Sequence, residues 1–108
     1  MIQIPTRSDL PFYDLQVTLD GVTYTLEFRW NVRAAGWFMA ILDAEGVNVL
    51  RAGIRLVANW PLEAYRADRQ PRGVLMALDT SSSGLDPGRD DLGDRVQLVY
   101  ISADELGR

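Results

Sequence analysis

Residues 16–30 read QVTLDGVTYTLEFRW. Asp20-Gly21 stands between two runs rich in Val, Thr and aromatic residues. A type I′ turn needs positive φ at both central residues, and Asp-Gly meets that demand. The pair therefore predicts a hairpin, with Gln16–Leu19 as its first strand and Val22–Trp30 as its second. In the second run Val22, Tyr24, Leu26, Phe28 and Trp30 share one face, while Thr23, Thr25, Glu27 and Arg29 share the other. Alternation with period two over this length marks a strand with one buried face.

The pattern continues outward in both directions. Residues 1–13 read as an extended N-terminal arm, because Pro5 and Pro11 bias the residues before them away from helix. After the hairpin, Asn31–Gly36 is a turn. Trp37–Asp43 is apolar on both faces and predicts a central strand. Ala44-Glu45-Gly46 is the next turn, followed by short strands at Val47–Leu50 and Ile54–Val57. Trp60-Pro61 ends that region, and Leu62–Asp68 has room for a helical turn. Pro71-Arg72-Gly73 turns the chain into a strand at Val74–Leu78. Residues 79–95 form a long loop rich in Asp, Ser and Gly. Val96–Ile101 is the last strand, and Ser102 caps a short helical turn with Asp104 and Glu105 near its start. Short strands with turns at this spacing predict an all-β domain over 1–108, a small sandwich or a partly closed antiparallel barrel.

Composition narrows the chemistry. The 108 residues include no His, no Cys and no Lys. Missing His removes a Ser-His-Asp relay and imidazole metal sites. Missing Cys removes disulfides, thiolate zinc and a cysteine nucleophile. Missing Lys removes a P-loop lysine and Schiff-base chemistry. A chain of this size buries roughly two-thirds of the surface its unfolded form exposes, leaving little room for a deep active site. The net charge of −4 is local: five Asp and one Arg lie between Asp79 and Asp94, and the remainder is neutral. A neutral body with one acidic loop lacks the basic face that nucleic acid requires. The start of the chain lacks a basic region followed by an apolar run, and no stretch approaches the length of a membrane span. The expected location is the cytosol, unless the protein leaves inside a larger particle.

Three constellations invite a function. Asp79-Thr80-Ser81 resembles an aspartic-protease motif, and Gly88-Arg89-Asp90 echoes a second one. Those motifs need a flap and several strands between them to bring two Asp together, and only nine positions separate Asp79 from Gly88. The Asp-rich loop also suggests calcium. Counted from Asp86, however, positions 3, 5 and 12 are Gly88, Asp90 and Gln97, which is not an EF-hand set. The plainer reading is a loop whose Asp side chains bond nearby backbone N–H groups. A structureless loop this long also suits ordering against a partner. Third, the three Trp and four Tyr are mostly expected in the core, with one or two as interface anchors. Phe12-Tyr13, in the Pro-flanked arm, are the better interface candidates.

The ordered set of motifs carries a resemblance. Ile4-Pro5 and Pro11-Phe12-Tyr13 come first, then Leu19-Asp20-Gly21-Val22, Phe28-Arg29-Trp30-Asn31, Gly36-Trp37 and Asp43. Trp60-Pro61-Leu62, Leu78-Asp79-Thr80 and Asp86-Pro87-Gly88 follow, and Asp91-Leu92-Gly93-Asp94-Arg95 leads into Leu98-Val99-Tyr100. In order and spacing the chain resembles, over nearly its whole length, the baseplate plug family of contractile-tailed bacteriophages. The resemblance implies a structural virion protein with no catalytic residues, metal or cofactor. It implies several copies packed around the tail axis, near the hub and the tube or tape-measure end, helping to close the lumen. Phe12, Tyr13, Asp86, Arg89, Asp90 and Asp91 are the residues expected to meet those partners. The competing readings are a stand-alone carbohydrate- or calcium-dependent binding module and, behind it, a small hydrolase dependent on Asp79.

Overall fold

The computed structural model describes residues 2–59, 61–62, 73–81, 83–102 and 104–105. Eight strands follow in order: β1 (Ile2–Ile4), β2 (Phe12–Leu19), β3 (Val22–Asn31), β4 (Gly36–Leu42), β5 (Val49–Arg55), β6 (Pro61–Leu62), β7 (Val74–Asp79) and β8 (Val96–Ile101). They form two four-stranded antiparallel sheets, ordered β1-β8-β7-β6 and β2-β3-β4-β5. The sheets pack as a sandwich, and of the two architectures expected the sandwich is the one formed.

The Asp-Gly hairpin is present. Asp20 and Gly21 have φ of 52° and 79°, the two positive values that the turn requires. Strand β2 starts at Phe12 rather than Gln16, because Phe12–Gln16 pair in register with Arg29–Thr25 of the longer β3. The arm is also shorter than expected: Ile2–Ile4 form β1 at the edge of the first sheet, against Leu98–Tyr100. The two short strands expected at 47–50 and 54–57 are one strand. Gly53, at φ 69°, lets the backbone bulge while β5 stays paired with β4 on both sides of it. Trp60, and all but the first residue of the helical turn expected over 62–68 and the last of the turn expected over 71–73, lie outside the described residues, and Leu62 belongs to β6. At the C-terminal end Ser102 and Glu105 exchange capping-box hydrogen bonds: the Ser102 amide donates to the Glu105 carboxylate, and the Glu105 amide donates to Ser102 Oγ.

The core lies between the sheets. Tyr24, Leu26 and Phe28 are buried as their alternation dictates, with Trp37, Met39 and Ile41 of β4 beside them. Ile4, Leu75, Leu98 and Tyr100 face them from the other sheet. Each fully buried large side chain contributes about 1.5–3 kcal/mol relative to exposure. Four aromatic rings interlock at one end: Tyr13 stacks on Phe28 at 5.1 Å, and Trp37 meets Tyr13 and Trp30 edge-on at 6.2 and 5.7 Å. Thr25 is buried although it is on the polar face, because the 44–46 turn folds over it. At the other end Tyr100 links the sheets. Its hydroxyl donates to Asp20 Oδ2 at 2.5 Å and accepts the Gly73 amide at 2.7 Å.

Candidate functional site

The 79–95 loop is ordered by its own charges. Asp79 ends β7, and its side chain is fully enclosed. One oxygen accepts the Ser81 amide and hydroxyl at 2.9 and 2.6 Å, and the other accepts the Ser83 hydroxyl and Gly84 amide at 2.8 and 2.6 Å. Arg95, one residue before β8, reaches Asp79 at 3.0 Å and Asp91 at 3.0 Å. The same guanidinium donates to the Leu85 and Asp86 carbonyls at 3.0 and 2.9 Å. Asp91 also accepts the Gly88 amide at 2.8 Å. Hydrogen bonds from Ser81 and Ser83 hold the Asp79 carboxyl far below the usual carboxylate range, and Arg95 lowers Asp91.

A second set of contacts pins the loop to the body. The Trp37 indole N–H donates to the Gly88 carbonyl at 2.9 Å. The Arg89 guanidinium lies 5.6 Å from the centre of the Trp37 ring and donates to the Ser8 carbonyl. Ser8 Oγ donates to the Asp90 carbonyl at 3.3 Å. Gly93, at φ 84°, lies against Thr6, where a Cβ would overlap the Thr6 carbonyl oxygen. The Tyr13 hydroxyl fixes residues 5–9 from the inside, accepting the Arg7 amide and donating to the Arg7 carbonyl, both at 2.8 Å.

These contacts locate the six residues expected to meet partners. Arg89 and the Asp90 carbonyl meet Ser8 in the seam between loop and arm, and Asp91 is held within the loop by Gly88 and Arg95. Asp86 is on the same loop, and its carboxylate accepts the Ala58 amide at 2.9 Å. Phe12 and Tyr13 are neighbours in β2 and point to opposite faces. Tyr13 is in the core, whereas Phe12 is 47% exposed with the Arg29 guanidinium 4.9 Å over its ring. Asp86, Asp90 and Asp94 are the exposed loop acids, and of these Asp86 is engaged by the Ala58 amide. Sequence reading passed over Arg95 and Trp37 as organisers of this region. The four-residue step from Asp91 to Arg95 was a usable signal for the first. The second depends on a contact across 51 residues, for which no local signal exists.

Chemically, the arrangement is a rigid scaffold. Asp79 is ionised and its oxygens are occupied by donors, so it has neither a proton to give nor free lone pairs for a cation. Among the described residues no group of three or more His, Cys, Asp or Glu is placed to hold a metal ion. The Asp79 and Asp91 side chains bond loop amides, as the plainer reading of the loop expected.

The chain matches the family model described as "Cyanophage baseplate Pam3 plug gp18" over residues 1–104. It belongs to this family. The match spans both sheets, the 79–95 loop and the seam that holds it, and it agrees with the family resemblance of the motifs. Membership makes this plug-family chain a structural component of a bacteriophage tail baseplate. No curated protein matches it.

Proposed function

We propose that this plug-family protein is a non-enzymatic packing element that helps close the tail lumen of a contractile phage. Several copies surround the tail axis near the hub and the tube or tape-measure end. Each is a single β domain, held in the host cytoplasm until assembly. The observation that carries this reading is the family match over residues 1–104. The physical character of the loop supports it. A 79–95 segment cross-linked by Arg95, Arg89 and Trp37 presents a fixed shape, which suits repeated contacts in a symmetric particle better than turnover does. Phe12, Asp86, Arg89, Asp90 and Asp91 form or shape the contact surface, and Tyr13 holds the arm beneath it. Alanine substitutions at Phe12 and Asp90, tested for incorporation into tails, check the assignment. Reduced incorporation with unchanged folding is the expected outcome, and full incorporation of both variants contradicts it.

A further inference from the structure

The outer face of the β2-β3-β4-β5 sheet carries a row of four side chains, one from each strand. Phe12 pairs with Arg29, Arg29 with Phe38, and Phe38 with Arg55. Each guanidinium lies over a ring: Arg29 is 4.9 Å from the centre of Phe12, and Arg55 is 5.6 Å from the centre of Phe38. Stacking satisfies the flat face of a guanidinium and leaves its N–H edge for acceptors in its own plane. Arg55 spends one donor on the Ala34 carbonyl at 3.2 Å. Neither Arg29 nor Arg55 has a carboxylate partner among the described residues. Beside them a groove of about 280 Å³ is lined by Glu27, Arg29, Asn31, Phe38, Ala52 and Gly53.

We infer that this face receives the 79–95 loop of a second copy of the chain, with Asp90 and Asp94 on Arg29 and Arg55. Three observations favour that occupant. The excess negative charge of the chain is concentrated in this loop. Asp79 and Asp91 are held by loop donors and the exposed Asp86 is engaged by the Ala58 amide, so among the described residues Asp90 and Asp94 are the exposed loop acids whose carboxylates are not engaged. Stacked Arg and exposed Phe are the side chains that suit an interface, and here they line the rim of a concave surface. The next row on the same face sets the register. Asp14 and Glu27 stand directly opposite each other there, so a loop that slipped by one row would meet like charge. A loop-to-face contact is heterologous, joining two different patches, as closed rings require. The inference rests on the proposed function only in requiring several copies side by side.

The chain has no cysteine, so single cysteines report contacts cleanly. Ala40 pairs with Glu27 and lies on the floor of the groove. Purified Ala40→Cys and Asp90→Cys proteins, one isotopically labelled, are mixed and oxidised, alone and with the hub and tube proteins of the same phage. Mixed disulfide dimers in excess of either homodimer are the expected result. An Arg29→Glu/Arg55→Glu pair is expected to weaken self-association by about tenfold or more, and an Asp90→Arg/Asp94→Arg partner to restore it. Predominant Ala40→Cys homodimers overturn the inference in favour of face-to-face pairing. Protein that joins the hub and tube proteins without forming the mixed disulfide overturns the inference alone. Protein that neither self-associates nor joins them overturns both it and the baseplate reading.

Discussion

The indole N–H of Trp37 donates to the carbonyl of Gly88 at 2.9 Å, joining an inner strand of one sheet to the acidic loop. Trp37 is fully buried, so its indole N–H cannot exchange this bond for one to solvent without opening the core, while Gly88 is half-buried. The loop is therefore part of the folded body. Trp37→Phe removes the donor, leaves the Gly88 carbonyl unpaired and opens space beside Tyr13 and Trp30. The expected cost is about 2–4 kcal/mol, read by urea unfolding. Faster amide exchange across 83–95 is expected in the same variant. A loop whose exchange is unchanged contradicts the link.

Acid should loosen the loop before the sheets. Asp79 and Asp91 are both held below the ordinary carboxylate range, by serine and amide donors and by Arg95. A carboxyl with a depressed folded-state pKa adds stability above its unfolded pKa, and that stability is lost as pH falls through the folded value. The window therefore opens below about pH 4, where unfolded carboxylates begin to take up protons. Asp79→Asn is expected to lower stability at neutral pH and to flatten the pH dependence of unfolding below pH 4, measured as a series of thermal midpoints. An unaltered slope shows that other carboxylates control acid unfolding.

Two glycines with the same backbone sign are expected to behave differently. Gly21 and Gly93 both have positive φ, at 79° and 84°. A Cβ at Gly21 meets nothing within 4 Å, whereas one at Gly93 overlaps the backbone of Thr6. Gly21→Ala should cost only the conformational term, about 1–2 kcal/mol. Gly93→Ala must also push the arm off the loop, and a loss clearly larger than that of Gly21→Ala is expected in parallel denaturation curves. Equal losses contradict the close approach.

Tyr100 joins the sheets at the end away from the Trp37 cluster. Tyr100→Phe keeps the ring in the core and strips the hydroxyl shared by Asp20 and the Gly73 amide. The expected loss is about 1–3 kcal/mol, because a backbone donor is left without that acceptor. Urea unfolding of the single variant, and of Tyr100→Phe with Asp20→Asn, separates the coupling from the ring's own contribution.

The hairpin was legible because its information is local. Asp20-Gly21 sets the turn, and the Tyr24-Leu26-Phe28 spacing sets the buried face. Strand β8 was equally plain from Val96–Ile101. The start of β2 was hidden, because Phe12–Leu15 are held by pairing with the far end of β3 and not by a pattern of their own. Strand β5 looked broken because a bulge at Gly53 interrupts the alternation without interrupting the pairing. For the candidate site, composition located the acidic loop correctly. It could not say which acids are engaged, since that depends on where Arg95, Ala58 and Trp37 arrive in three dimensions. Phe12 and Tyr13 were grouped as neighbours in an arm, and strand geometry separates them.

The role proposed for the chain is packing into a tail baseplate. The most direct measurement is the light-scattering mass of the purified protein, alone and mixed with the hub, tube and tape-measure proteins of the same phage. A packing role predicts a discrete symmetric oligomer or a defined mixed complex. A strict monomer that ignores every one of those proteins contradicts it.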